Sequence, residues 1–157
     1  MITPAPSEAV MPAKPRVPRA ASTKKSVPSP QEISPGVFLG GWNDALKFTG
    51  KKFCVLDEAP EDMPPATHVT IYDETKDAPI VPNLDRLASE MNSAHQNHEP
   101  VLVFCGHGVR RSPLAAAWYL HRYEKLSLEA AYERIREVRP KVETAREWIG
   151  NWKKLEG

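Results

Sequence analysis

Disulfide chemistry has little to work with in this 157-residue chain, which holds two cysteines, Cys54 and Cys105. Two are too few for a cross-linked framework, and free thiols fit a reducing compartment such as the cytoplasm. No apolar run approaches the roughly 18–20 residues that cross a bilayer, and the N-terminus lacks the apolar stretch of a secretory signal, so no transmembrane segment is expected. His68, His95, His98 and His121 have no ligand spacing with cysteine or carboxylate, which predicts no metal site and no cofactor. Aromatic and basic residues do not interleave as they do in a nucleic-acid groove, so no nucleic-acid partner is expected. No aspartate follows residue 105, and any acid chemistry that uses one must draw on the earlier part of the chain.

Proline is present but unevenly spread. Of 16 prolines, Pro4, Pro6, Pro12, Pro15, Pro18, Pro28 and Pro30 fall in the first thirty residues. That stretch has Lys14, Arg16, Arg19, Lys24 and Lys25 against Glu8, a charge of +4, which leaves −3 on the remainder of a chain whose total is +1. A basic Pro/Ser/Ala-rich segment with few large apolar residues cannot bury enough surface to offset the entropy of ordering its backbone. The expected organisation is a disordered basic leader over residues 1–34 and one domain over 35–157, whose 41% apolar content over the whole chain suffices for a single core.

Within that domain short apolar runs alternate with helical patterns, the mark of an α/β fold. Gly36–Leu39, Phe53–Leu56, His68–Tyr72 and Val101–Phe104 read as strands, and the last has no polar residue and belongs in the centre of a sheet. Leu84, Leu87, Ala88, Met91 and Ala94 recur at spacings of three and four and predict a crossover helix. Three more helical patterns close the chain: Leu114 to Tyr123; Leu128 to Val138, capped by Ser127 and stopped at Pro140; and Val142 to Leu155. Trp42, Trp118, Trp148 and Trp152 read as packing residues.

The central strand runs into Cys105-Gly106-His107-Gly108-Val109-Arg110-Arg111-Ser112, then Pro113 and a helix. Backbone N–H groups of such a loop and of the first helical turn converge on one point, where the helix dipole adds positive potential, so the arrangement predicts an anion site. Gly106 and Gly108 let the backbone wrap tightly, and Pro113 suits a first turn whose N–H would be unpaired. A cysteine at the floor of such a cradle is favoured as thiolate, the nucleophilic form. Arg111 offers paired planar donors that match two phosphate oxygens, and Ser112 can donate to the sulfur when it leaves. Gly106, His107, Gly108, Val109, Arg110 and Arg111 are the expected phosphate contacts.

The string Cys105-x-x-Gly108-x-x-Arg111-Ser112 resembles the signature of the protein tyrosine phosphatase superfamily. Its surroundings resemble the dual-specificity branch over roughly residues 33–157: an opening Ile33-Ser34-Pro35-Gly36-Val37-Phe38-Leu39-Gly40, a loop after the third strand, and C-terminal helices containing Arg139-Pro140. Low-molecular-weight tyrosine phosphatases have a similar string, but near the N-terminus and with an Asp-Pro acid after it. The resemblance implies a central mixed β-sheet of about four to five strands flanked by helices. It also implies hydrolysis of phosphomonoesters through a phosphocysteine, with phosphorylated protein as the favoured substrate and no metal. Leaving-group protonation needs an acid on a mobile loop; Asp73, directly after the third strand, matches the family's position, with Asp77 in reserve.

The sequence departs from that pattern at Phe104, where most relatives have a histidine that supports thiol activation. His107 and Arg110 make the loop basic, which suits a substrate of higher charge such as a phosphoinositide or an RNA 5′-phosphate; equally, Arg110 can pair with a surface carboxylate. Cys54, in a strand, reads as a small buried apolar residue or as a disulfide partner that protects Cys105. A phosphate-reading module without catalysis is the rival from another class.

Overall fold

The computed structural model describes residues 30–149. Its centre is a five-stranded mixed sheet. The strands, in chain order, are β1 (Gln31–Ser34), β2 (Val37–Gly40), β3 (Lys51–Cys54), β4 (Thr67–His68) and β7 (Val101–Phe104), arranged β1-β2-β7-β3-β4. Val101–Phe104 is buried along its whole length and pairs in parallel with β2 on one side and β3 on the other, as an all-apolar strand must. Only β1 runs antiparallel, joined to β2 by a turn at Gly36, whose φ of 79° favours glycine.

Helices cover both faces. Residues Trp42–Lys47 form a short α1, whose Ala45 packs with Cys54, Leu102 and Phe104 on one face. The larger core lies on the other face, beneath α2 (Val81–Gln96), α3 (Arg111–Tyr123) and α4 (Leu128–Val138). The five residues expected to face the core from α2 are all buried. In α3 everything from Ser112 to Leu120 is buried, because this helix lies between the sheet, α2 and α4. Ser127 caps α4 by accepting the Ala130 N–H at 3.0 Å, and the helix stops before Arg139-Pro140.

The structure moves several boundaries. Gln31–Ser34, placed in the leader by sequence, is a sheet strand: Ile33 joins the main core, and pairing with β2 offsets the entropy of ordering four residues. Residues 1–29 lie outside the described part. The expected strand His68–Tyr72 is split. After β4 pairs with the end of β3, the chain leaves the sheet, burying Val69 and Ile71, and forms a separate hairpin of β5 (Tyr72–Asp73) and β6 (Ala78–Pro79). Of the third closing helix only α5 (Ala145–Trp148) is described, opened by a Thr144 and Glu147 capping box; Trp152 and Leu155 lie outside the described residues. Among the described residues no helix is long and apolar enough to cross a membrane.

Candidate active site

Parallel strands with helical crossovers place their C-terminal ends at one edge, where crevices form. Gly40, Cys54 and Phe104 end β2, β3 and β7 there, in register across the sheet. The segment from Cys105 to Arg110 sits on this edge and leads into the N-terminus of the 13-residue α3. It lines a cleft of about 410 Å³ with Leu56, Cys105, Gly106, His107, Val109, Arg110, Arg111 and Glu143.

The thiol is at the floor of this loop, with 6% of the residue exposed. Its Sγ accepts the Gly108 N–H at 3.3 Å and lies 3.2 Å from the buried Ser112 Oγ. Ser112 Oγ is in turn 3.3 Å from the Gly40 carbonyl oxygen, to which it can donate.

Four of the loop's own carbonyls are tied from outside the loop. Gly106 O accepts the Trp42 N–H at 3.0 Å and Val109 O the Glu143 N–H at 2.9 Å. His107 O and Gly108 O accept from Arg139, through Nη2 and Nε, both at 3.0 Å. Arg139 also donates to Gln31 Oε1 of β1. A peptide whose C=O is fixed outward leaves its N–H groups facing the loop interior, which is how the backbone becomes an anion cradle. At Gly108 φ is +70°, and a Cβ would lie 2.6 Å from Arg139 Nη2 and 2.9 Å from the Gly40 oxygen. Gly108→Ala is therefore expected to cost about 1–3 kcal/mol, lowering Tm and weakening phosphate binding together; calorimetry and phosphate titration on one preparation check both.

Arg111 is present at the mouth but is already engaged. Its Nε and Nη2 donate to Asp57 Oδ1 and Oδ2 at 2.7 and 2.8 Å, and Nη2 also meets Glu74 Oε2 at 3.2 Å. The Tyr72 and Trp148 rings flank its guanidinium at 5.5 and 5.6 Å. Arg110, exposed, pairs through Nε with Glu143 Oε1 at 2.8 Å, so of its two sequence readings the carboxylate-paired one matches the geometry. His107 is exposed at the rim.

Asp73 sits on the β5–β6 hairpin near this mouth, next to Glu74. Its Oδ1 accepts the Thr75 and Lys76 N–H groups at 3.0 and 3.3 Å. Hydrogen bonds from Thr75, then Lys76, hold its carboxyl below the usual carboxylate range. In this arrangement Asp73 is an anion in a turn. Asp77, at φ +50°, is taken up by the Tyr72 hydroxyl, whose pKa is pushed up to about 12 by burial and then by this bond. Phe104 points to the opposite face of the sheet from Cys105 and meets Trp42 edge-on, with ring centroids 6.2 Å apart. Cys54 packs beside Phe104 on that same far face; both cysteines are free.

Four residues of the site were not singled out from sequence: Asp57, Glu74, Glu143 and, as a partner of the loop, Arg139. Asp57 carries a signal in its place, three residues past the end of a strand that neighbours β7, at the same sheet edge as Cys105. Arg139 was noted only as part of Arg139-Pro140 in the resemblance, and Glu143 carries no signal, since only the packing of α4 and the segment after it brings them to the loop.

Known proteins resemble this chain. The family described as "Dual specificity phosphatase, catalytic domain" matches residues 56–156. Mouse dual specificity phosphatase 28 is 25% identical over 145 residues, covering 85% of this chain and 86% of that one. A crystal structure of a human dual specificity phosphatase 28 variant superposes with a TM-score of 0.67 at 21% identity, covering 82% of this chain and 94% of the other. A mouse putative dual specificity phosphatase complexed with zinc tungstate superposes with a TM-score of 0.66 at 24% identity, covering 86% and 89%.

Proposed function

Because this chain belongs to the dual specificity phosphatase family, we propose that its Cys105 loop is the catalytic centre of a phosphomonoester hydrolase acting on phosphorylated tyrosine, serine and threonine in proteins. The observation that supports this most is the tied loop around a buried thiol, whose Sγ accepts the Gly108 N–H at 3.3 Å and meets the Ser112 hydroxyl at 3.2 Å.

Five groups take part. The Cys105 thiolate attacks phosphorus while the bond to the leaving oxygen breaks, and Asp73 gives that oxygen its proton. Loop N–H groups and Arg111 hold the remaining phosphate oxygens and the charge that develops on them. Water then attacks the phosphocysteine, Asp73 takes the water's proton, the S–P bond breaks with Ser112 donating to sulfur, and inorganic phosphate leaves. For Asp73 to act, the β5–β6 hairpin has to close over the cleft and bring its carboxyl to the leaving oxygen.

Protein substrates are favoured over highly charged lipid or RNA phosphates because Glu143 neutralises the additional loop cation, Arg110. Two free thiols, one of them the nucleophile, suit a reducing compartment such as the cytoplasm. No metal is assigned to the reaction. The test is hydrolysis of a small aryl phosphate and of phosphopeptides in EDTA. Turnover of both supports the reading; phosphate binding without turnover would replace it by a phosphate-reading module, and preference for phosphoinositide or RNA 5′-phosphate would move the substrate class.

A further inference from the structure

Arg111, the side chain best suited to clasp phosphate, already holds an anion. Asp57 presents two oxygens to Nε and Nη2 at 2.7 and 2.8 Å, the same fork-to-fork match that two phosphate oxygens would make. A guanidinium edge accommodates one such partner at a time. From this geometry, resting on the phosphatase reading, we propose that Asp57 is an internal competitor of phosphate: substrate engages Arg111 by displacing it, and its return helps expel the product phosphate.

Four observations support the exchange. The ion pair is sheltered but not sealed, with Arg111 and Asp57 side chains 20% and 29% exposed. The Tyr72 and Trp148 rings shield the guanidinium, which strengthens its hold on a carboxylate relative to an open surface pair. The Asp57 backbone is anchored, since its carbonyl accepts the Thr70 hydroxyl at 3.2 Å, so the carboxylate can swing away by side-chain rotation alone. Among the described residues, both arginines of the mouth are already paired with carboxylates. Arg111 faces Asp57 and Glu74, and Arg110 faces Glu143, so a dianion gains full attraction only once a carboxylate withdraws.

Glu74 gives the exchange a second consequence. It lies beside Asp73 on the β5–β6 hairpin and touches the same Nη2 that Asp57 uses. Reorientation of Arg111 toward phosphate releases the hairpin at the moment the acid is needed, which couples phosphate capture to delivery of Asp73.

The experiment measures inorganic phosphate binding by calorimetry in full-length Cys105→Ser protein, where chemistry is absent, with and without Asp57→Asn. Asparagine keeps the shape and one acceptor but removes the charge. Phosphate is expected to bind about tenfold more tightly in Asp57→Asn, and in the active protein the same substitution is expected to lower KM for an aryl phosphate and the inhibition constant of phosphate, with kcat reduced by slower product release. Glu74→Gln, at a side chain 71% exposed, is expected to shift phosphate binding in the same direction by a smaller factor, and it serves should Asp57→Asn fail to fold. Unchanged or weaker phosphate binding in a folded Asp57→Asn protein would show that Asp57 merely positions Arg111; so would weaker binding in Glu74→Gln where that is the variant available. Absence of turnover in the parent in EDTA would instead count against the phosphatase reading, and the binding comparison would still decide the role of Asp57.

Discussion

Cys105→Ser is expected to reduce kcat for an aryl phosphate by at least about 10⁴-fold while phosphate still binds. The two halves separate because different parts of the loop carry them. On the proposed mechanism the thiolate supplies the bond to phosphorus, and a hydroxyl at the same place is a far weaker nucleophile at neutral pH. The cradle is backbone: its carbonyls are held by Trp42, Arg139 and Glu143. Arg111→Lys is expected to lower kcat by about 10²–10³-fold, since an ammonium replaces a planar pair of donors with a point charge. Steady-state kinetics with phosphate titrations check both; loss of phosphate binding in a folded Cys105→Ser protein would mean the sulfur, and not the backbone, organises the cradle.

Asp73→Asn is expected to lower kcat for an alkyl or unactivated aryl phosphate by about 10²–10⁴-fold and to have much less effect on a substrate whose leaving group needs no proton. The pH profile carries the sharper test. Hydrogen bonds to Thr75 and Lys76 favour the ionised carboxyl in the open hairpin; as pH falls, protonation weakens these bonds and their stabilisation of the turn is lost through the lowered folded-state pKa. In the closed state the same carboxyl must carry a proton to give. The parent rate should therefore fall as pH rises through the acid's pKa in the substrate complex, and that limb should vanish in Asp73→Asn. A limb that survives in Asp73→Asn but vanishes in Asp77→Asn would transfer the role to Asp77.

The strand, loop and helix that make the cradle were legible in sequence because their signals are local. Val101–Phe104 has no polar residue, the glycines follow at once, and Ser112 to Leu120 has an apolar face for every neighbour. The mixed sheet of five strands falls within the expected four to five, and membership of the dual specificity phosphatase family accords with the resemblance carried by Cys105, Gly108, Arg111 and Ser112. What was not legible depends on distance along the chain. Gln31–Ser34 has too little apolar surface to announce a strand and becomes one because β2 offers it an edge. The split after His68 follows from a hairpin that pairs Tyr72 with Pro79 in preference to extending the sheet. Asp57 reads as one acidic residue among several in Asp57-Glu58-Ala59-Pro60-Glu61-Asp62 until the fold sets it against Arg111.

The outward ties of the loop also say something about how this protein comes apart. The contacts that shape the cradle reach it from Trp42, Arg139 and Glu143, far from Gly106 to Val109 in the chain, so no local segment can form it alone. Closing such long loops precedes any gain from the contacts that close them, so the cradle is expected to form late in folding and to open early in unfolding. An oxyanion bound there acts as a clasp on a structure already assembled: it slows the native chain's escape while leaving the rate of its formation nearly untouched.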